Sequence, residues 1–435
     1  MNTEEGLKRE IGFWGLTANI INVVIGSGIF VLPALVSEGL GSAGILAYLF
    51  CGFLITLIML GFAELGSKIN VTGGAYAYIE IAFGKYFGFL ATNLLIFGTS
   101  LMATAAVANA LAGTLAYLFP IFNDQLVRIA FFIAIFSGLA ITNVIGVKKG
   151  ITLVKLTTIA KLAPLLLLVI WGSTRMVFDN LTWHEIPAFS DIGKISLILF
   201  FAFQGAESSL SVGGEVKNPR KTVPKAILLS FMIILLLYIA VQLVSQGIIG
   251  DSFPNYKDAP LAEVAKRIMG PLGLTIMISG AAISMFGYLS SDTLNMPRVL
   301  FRSAKDKVIP IKALSLVHSN YATPYIAVIV YTSLGCFFAI TGEFKQLAIL
   351  SSSSVLLVYL GVAFAVMKLR SKTFETSNSF KISGGFTIPI LSILTILWLL
   401  SNLTRQEMEG IIIALGILSF LFLVIKYFKL DKQNY

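Results

Sequence analysis

The stretch Asn22 to Phe30, NVVIGSGIF, places Gly26-Ser27-Gly28 inside a run that carries no charge from Ile11 to Ser37. A charge-free run of that length reads as a membrane helix. Glycine within it weakens the helix by about 1 kcal/mol relative to alanine, so the weak point needs a use. A second one stands at Gln204-Gly205-Ala206-Glu207-Ser208-Ser209, where LFFAFQGAESSLSVGGEVKNPRKTVP (199–224) turns small and polar in mid-span.

Composition sets the class around this pair. The chain has 435 residues, is 57% hydrophobic and 12% charged, and has a mean hydropathy of +0.87, outside the range of soluble domains. Charge-free windows at 11–37, 39–63, 86–123, 226–250, 268–291, 346–367, 382–404 and 410–425 are each long enough for about 30 Å of hydrocarbon. Further spans are expected near 129–147, 150–172, 195–216 and 324–342, with 86–123 read as one long, tilted helix because no proline divides it. The expectation is an all-α polytopic membrane protein of about 12 transmembrane helices.

Counted that way, the two weak points open two units of five spans each, residues 1–172 and 173–370, followed by two C-terminal helices in 371–435. Five is odd, so the second unit would be inverted relative to the first, the arrangement of a 5+5 inverted repeat with broken helices 1 and 6. Each break exposes N–H groups at one half-helix end and carbonyls at the other, donors for a carboxylate and acceptors for an ammonium. Unwound backbone persists in a bilayer only where it lines a cavity or a ligand. Taken singly, GSGIF reads as well as a helix-packing motif; its counterpart in span 6 weighs against packing alone.

A net charge of +10 does not call for a nucleic-acid partner. With both termini cytoplasmic, inner loops and tails hold 22 of the 32 Lys and Arg and outer loops hold 8, which is the positive-inside distribution of a multi-pass protein of the plasma membrane. The opening MNTEEGLKRE lacks an apolar core with a small-residue cleavage site, so no cleaved signal peptide is expected. Cys51 and Cys336 lie in apolar spans and His184 and His318 in loops on opposite sides. Neither metal nor cofactor is expected, and no motif of a nucleophile with its base appears, so enzyme chemistry has little support.

At the two breaks the sequence resembles the amino acid–polyamine–organocation transporters, which share the fold of the bacterial leucine transporter. GSGIF at 26–30, FFAFQGAESSLSVGGEVKNPRKTVPKAI at 200–227 and PRVLFRSAKDKVIP at 297–310 carry the resemblance, which covers nearly the whole chain. It implies an amino acid permease working by alternating access. The substrate would lie against Ile25, Gly26, Ser27, Gly28 and Ile29 of span 1 and Phe201, Ala202, Phe203, Gln204 and Gly205 of span 6. Amide N–H groups of Ser27, Gly28 and Ile29 would take its carboxylate, and Phe201 would be an aromatic gate. Gln204 stands where relatives often carry a small or aliphatic residue, so pocket size and polarity are not inherited.

Ionisable residues inside spans frame the coupling. Lys161 lies near the centre of GITLVKLTTIAKLAPLLLLVIWG (150–172), where a cation costs about 2.5–3.5 kcal/mol on insertion scales. The resemblance places it where sodium-coupled relatives hold their ion; it either exchanges a proton or is a structural lysine bound to carbonyls of the break. Lys155 is expected to snorkel. Glu207 matches a family glutamate with a gating or proton-linked role as against simple structural bonding. Asp292, with Ser290 and Ser291 beside it in YLSSDTLNMPR (288–298), either lines the lower pocket or caps a bend. Glu64 reads as structural.

The reading is therefore secondary active uptake of amino acids coupled to protons. Amino acid exchange, transport of a polyamine or organic cation, and a non-transporting nutrient receptor are the alternatives. A channel would need a continuous polar lining, whereas the polar positions here cluster at one depth.

Overall fold

The computed structural model describes residues 11–69, 74–145, 151–183, 185–207, 216–305, 308–309, 311–321, 323–371 and 384–431. Within them the chain is helical nearly throughout, and no strand longer than the single bridge between Ile11 and Val216 occurs among the described residues. Among the described residues seven helical runs, 28–67, Lys85–Ala116, Gln125–Ile145, 221–256, Pro260–Lys305, 344–370 and 405–427, are long and apolar enough to cross a membrane. The protein is an all-α polytopic membrane protein.

The first crossing is split into α1 (Phe13–Val24) and α2 (Gly28–Leu40). Helix α3 (Ile45–Lys68) returns, and a short α4 (Ala75–Phe83) precedes α5 (Lys85–Asn93), which runs without interruption through a π-helical stretch, Leu94–Leu101, into α6 (Met102–Ala116). The expected single long helix thus exists, and its middle is over-wide. Helices α7 (Gln125–Ile145) and α8 (Ile151–Gly172) follow. Then α9 (Phe189–Leu199) tightens into a 3₁₀ turn at Phe200–Phe203 before the second break.

Beyond it come α10 (Pro219–Ile249), α11 (Pro260–Lys305, kinked at Gly270-Pro271), α12 (Tyr325–Thr341), α13 (Phe344–Ser371), α14 (Thr387–Leu400) and α15 (Arg405–Asp431). Proline at the first position of α10 costs no hydrogen bond, because that N–H has no intrahelical acceptor.

Long-range contacts fix two ends of the bundle. At one end the start of α1 meets the start of α10 through Lys217 N–H donating to Ile11 C=O at 2.8 Å. There Glu64, at the end of α3, holds a buried ion pair with Arg370 at the end of α13, as its structural reading expected. At the opposite end Lys257 pairs with Glu38, and Asn180 reaches Gly247 C=O.

Between the ends α10 packs against α1 and α3, and α11 against α6 and α8. The outer surface carries large apolar side chains such as Trp14, Leu236, Ile412 and Phe420, the composition of a surface that faces lipid. Helix α15 lies outermost, held to α5 by Tyr86, whose hydroxyl is 2.8 Å from that of Ser419.

Candidate functional site

Both weak points of the sequence are breaks, and they touch. Ile25 leaves the helical region with ψ 88°, and α2 begins again at Gly28. In the sixth span Gln204 is extended and Gly205 has φ +110°, a conformation that disfavours any side chain. A Cβ added to Gly28 would lie 2.7 Å from Ala202 Cβ and 2.8 Å from Ala202 Cα, and one added to Gly205 would lie 3.2 Å from Val23 Cγ1. Val23 faces Gly205 while Gly28 faces Ala202, so the two segments run antiparallel in contact. The Cα of Gly28 therefore backs onto the 3₁₀ turn, which gives its glycine a structural reason beyond close approach of a ligand.

The polar groups released by the breaks are only partly used. A helix start leaves its first N–H groups without intrahelical acceptors, and those of Ser27 and Ile29 find no backbone acceptor among the described residues. Ser27 Oγ, with the residue 1% exposed, and Gln204 Oε1, with the residue 8% exposed, are buried and have no partner among the described residues. Buried polar atoms are ordinarily paired; six others among the described residues, Thr99 Oγ1 and Ser352 Oγ among them, are also left over, and these two lie one at each break. Phe201 is buried beside them with its ring edge-on to Phe344, centroids 5.8 Å apart.

The carbonyl side of the break is occupied. Lys161 of α8 donates to Asn22 C=O and, at 2.8 Å, to Ile25 C=O, two carbonyls whose next-turn N–H partners the break displaces. The buried ammonium sits where a cation bound to the break would sit. Tyr238 of α10 donates to Ala202 C=O at 3.0 Å and reaches Val24 C=O at 3.4 Å, tying the two breaks to one hydroxyl. Ser284 of α11 lies 3.5 Å from Gly26 C=O, and the Tyr288 ring 4.0 Å from the position of a Gly26 Cβ.

Glu207 closes the second break. Its Oε2 accepts the Gly205 N–H at 3.0 Å and the Tyr359 hydroxyl of α13. Gln204 donates through Nε2 to Ser351 Oγ at 2.9 Å. Phe203, Ile25 and Ile29 bury their side chains in the core, and Phe203 stacks edge-on to Tyr238. Of the span 1 and span 6 set, these three offer backbone rather than side chain.

Asp292 belongs to another layer. It lies inside α11, eight residues or about 12 Å from Ser284, so it caps no bend. Ser100 and Thr104 donate to it at 2.6 and 2.5 Å, and Tyr331 at 2.6 Å. Both carboxylate oxygens are thus held by hydroxyls of neighbouring helices. Ser290 and Ser291 do not join this cluster, and Ser291 is exposed. Ser208, Ser209, Asp306, Lys307 and His184 lie outside the described residues, as does the side chain of Lys155.

Tyr238, Ser284, Ser351 and Tyr359 escaped the sequence reading because each meets a break from a helix distant in sequence. One signal was present: Ser351-Ser352-Ser353-Ser354 puts four hydroxyls in mid-span, and hydroxyls there seek partners.

The chain is similar to known proteins along nearly its whole length. The profile of the family described as "Amino acid permease" matches residues 11–428. The serine/threonine exchanger SteT of Bacillus subtilis (strain 168) is 29% identical over 96% of this chain and 97% of its own. The branched-chain amino acid permease BcaP of the same organism is 26% identical over 92% and 89%. The human cystine/glutamate transporter is 27% identical over 91% of this chain and 80% of its own.

Proposed function

The chain belongs to the amino acid permease family, and on that premise we propose that it is a secondary active transporter that carries free α-amino acids across the plasma membrane by alternating access, with both termini in the cytoplasm. The two facing breaks carry the reading. Orphaned N–H groups at the start of α2 and the hydroxyl of Ser27 fit a carboxylate, which the positive end of a helix favours. Ala202 and Gly26 present carbonyls for the ammonium from the other side. An amino acid placed there would bring its carboxylate to the Ser27 orphan and its side chain towards Gln204.

Movement would begin with separation of the breaks, where Gly28 backs onto Ala202 and Gly205 onto Val23. Lys161 would link transport to protons: an ammonium that leaves the carbonyls of Asn22 and Ile25 on losing its proton would unlock the first break. The same seat favours a second reading, amino acid exchange, because a fixed ammonium fills the cation position without a co-ion. Relatives named for serine and threonine, branched-chain amino acids, and cystine and glutamate differ in side chain, so the shared chemistry is that of the backbone.

Competition in proteoliposomes tests this. An amino acid methyl ester lacks the charge that the α2 terminus favours and gives up charge-assisted hydrogen bonds of about 1.5–3 kcal/mol each, so it should compete at least about tenfold more weakly than the parent. Equal competition would reject carboxylate recognition here and favour an organic cation as substrate. Uptake driven by an imposed pH gradient into empty vesicles supports proton coupling; uptake only into vesicles preloaded with amino acid supports exchange.

A further inference from the structure

We propose that Gln204, oriented by Ser351 and the π-helical stretch of the third span, selects amino acids whose side chain donates a hydrogen bond, such as a hydroxyl or an amide. The inference rests on the amino acid reading of the two breaks and specifies its side-chain subsite.

The argument follows one proton. Ser351 Oγ lies 2.9 Å from the carbonyl oxygen of Thr99, within the π-helical stretch Leu94–Leu101. A carbonyl only accepts, so the single proton of the Ser351 hydroxyl is committed to Thr99. Toward Gln204, also 2.9 Å away, Ser351 then has only a lone pair to offer. The group facing that lone pair is the N–H of the Gln204 amide; the flipped amide would have to draw the Ser351 proton away from Thr99. The chain from Gln204 N–H through Ser351 O–H to Thr99 C=O therefore has one direction, and the amide has one orientation.

That orientation leaves Oε1 as the free end. It is buried at the second break, on a residue more than nine-tenths buried, with no partner among the described residues. A carbonyl oxygen there accepts and never donates. A ligand that lays a methyl group against it leaves it desolvated and unpaired, whereas one that brings an O–H or N–H completes it. Sites built around a buried polar group discriminate strongly against the analogue lacking the matching group, more so than apolar pockets discriminate by size.

Isosteric pairs isolate this term. Threonine and valine differ only by a hydroxyl in place of a methyl, as do serine and 2-aminobutyrate. In proteoliposomes holding the whole chain, threonine should show an apparent affinity at least about tenfold above valine, and serine likewise above 2-aminobutyrate. Gln204→Leu should bring both ratios to within about threefold. Ser351→Ala, which releases the amide to turn, should shrink the ratios in the same direction, and Ser351→Thr, which keeps a hydroxyl, should preserve them. A merely structural role for Ser351 would lower uptake of both partners together and leave the ratio where it was.

Wild-type ratios near one, or variants that weaken both members of each pair equally, would overturn the proposal; the latter result would assign Oε1 to the ammonium that all amino acids share. If neither member of either pair is taken up or competes, the proposal is overturned, and only a failure of every other free amino acid to compete would sink the amino acid reading as well.

Discussion

Replacing Gly28 with alanine tests how tightly the two breaks are coupled. The new Cβ would stand 2.7 Å from Ala202 Cβ and 2.8 Å from Ala202 Cα. Carbon atoms rest about 3.5–4.0 Å apart, so the first and sixth spans must part by about 1 Å. Neither obstacle is the end of a flexible side chain, so no rotamer change relieves it. Overpacking of this kind costs about 1–3 kcal/mol. The displacement matters more for recognition, because a hydrogen bond stretched from about 2.9 to 3.9 Å is lost. Losing one charge-assisted bond to the carboxylate removes about 1.5–3 kcal/mol, a fall in affinity of roughly ten- to a hundredfold. Gly28→Ala should therefore melt lower than wild type in detergent and bind amino acid at least tenfold more weakly in a thermal-shift titration. Gly410→Ala, on the outer helix where an added Cβ meets nothing within 4 Å, should change neither. Adding Ala202→Gly to Gly28→Ala removes the Cβ contact but not the one to Cα, so recovery should be partial. If Gly28→Ala matches wild type in both measurements, the breaks are not in the contact described and the reasoning fails.

Two further predictions concern the charged residues. Lys161→Ala deprives the carbonyls of Asn22 and Ile25 of an ammonium, removing charge-assisted bonds of about 1.5–3 kcal/mol each; the variant should fold with a lowered melting temperature, and its uptake should no longer respond to an imposed pH gradient, a wild-type response sinking the coupling role. Glu207→Gln keeps one acceptor oxygen, which can take both the Gly205 N–H and the Tyr359 hydroxyl as Oε2 does, but carries no titrating proton; transport should lose much of its pH dependence while substrate still shifts the melting temperature, and an unchanged pH profile would leave Glu207 a purely structural residue.

The sequence made the breaks legible and left their surroundings dark, for a physical reason. Gly26-Ser27-Gly28 and Gln204-Gly205 are local statements: backbone freedom and small polar side chains in a run that lipid would otherwise keep apolar. Lys161 announced itself in the same way, as a cation with no water around it. The partners of these groups are long-range. Tyr238 and Ser351 belong to helices whose composition serves burial first, and nothing in the one-dimensional pattern aims their hydroxyls at Ala202, Gln204 or Thr99. Asp292 shows the opposite error: Ser290 and Ser291 adjoin it in sequence, yet on a helix neighbours one apart point away from each other, and its carboxylate goes to Ser100, Thr104 and Tyr331 instead.

The breaks also differ in what they leave unpaired, and that difference orders the site. At the first, the carbonyl side is filled by Lys161 while Ser27 keeps an unpartnered hydroxyl and the start of α2 unpartnered N–H groups. At the second, the N–H of Gly205 is taken by Glu207, and an acceptor is left over at Gln204. The chain's own side chains therefore occupy the Asn22 and Ile25 carbonyls of the first break and the Gly205 N–H of the second. What remains is a donor set on one side and an acceptor on the other, held in contact by Gly28 on Ala202. A ligand with a single charge would answer only one side. On the proposed reading an amino acid answers the first side through its carboxylate and the second through a donating side chain.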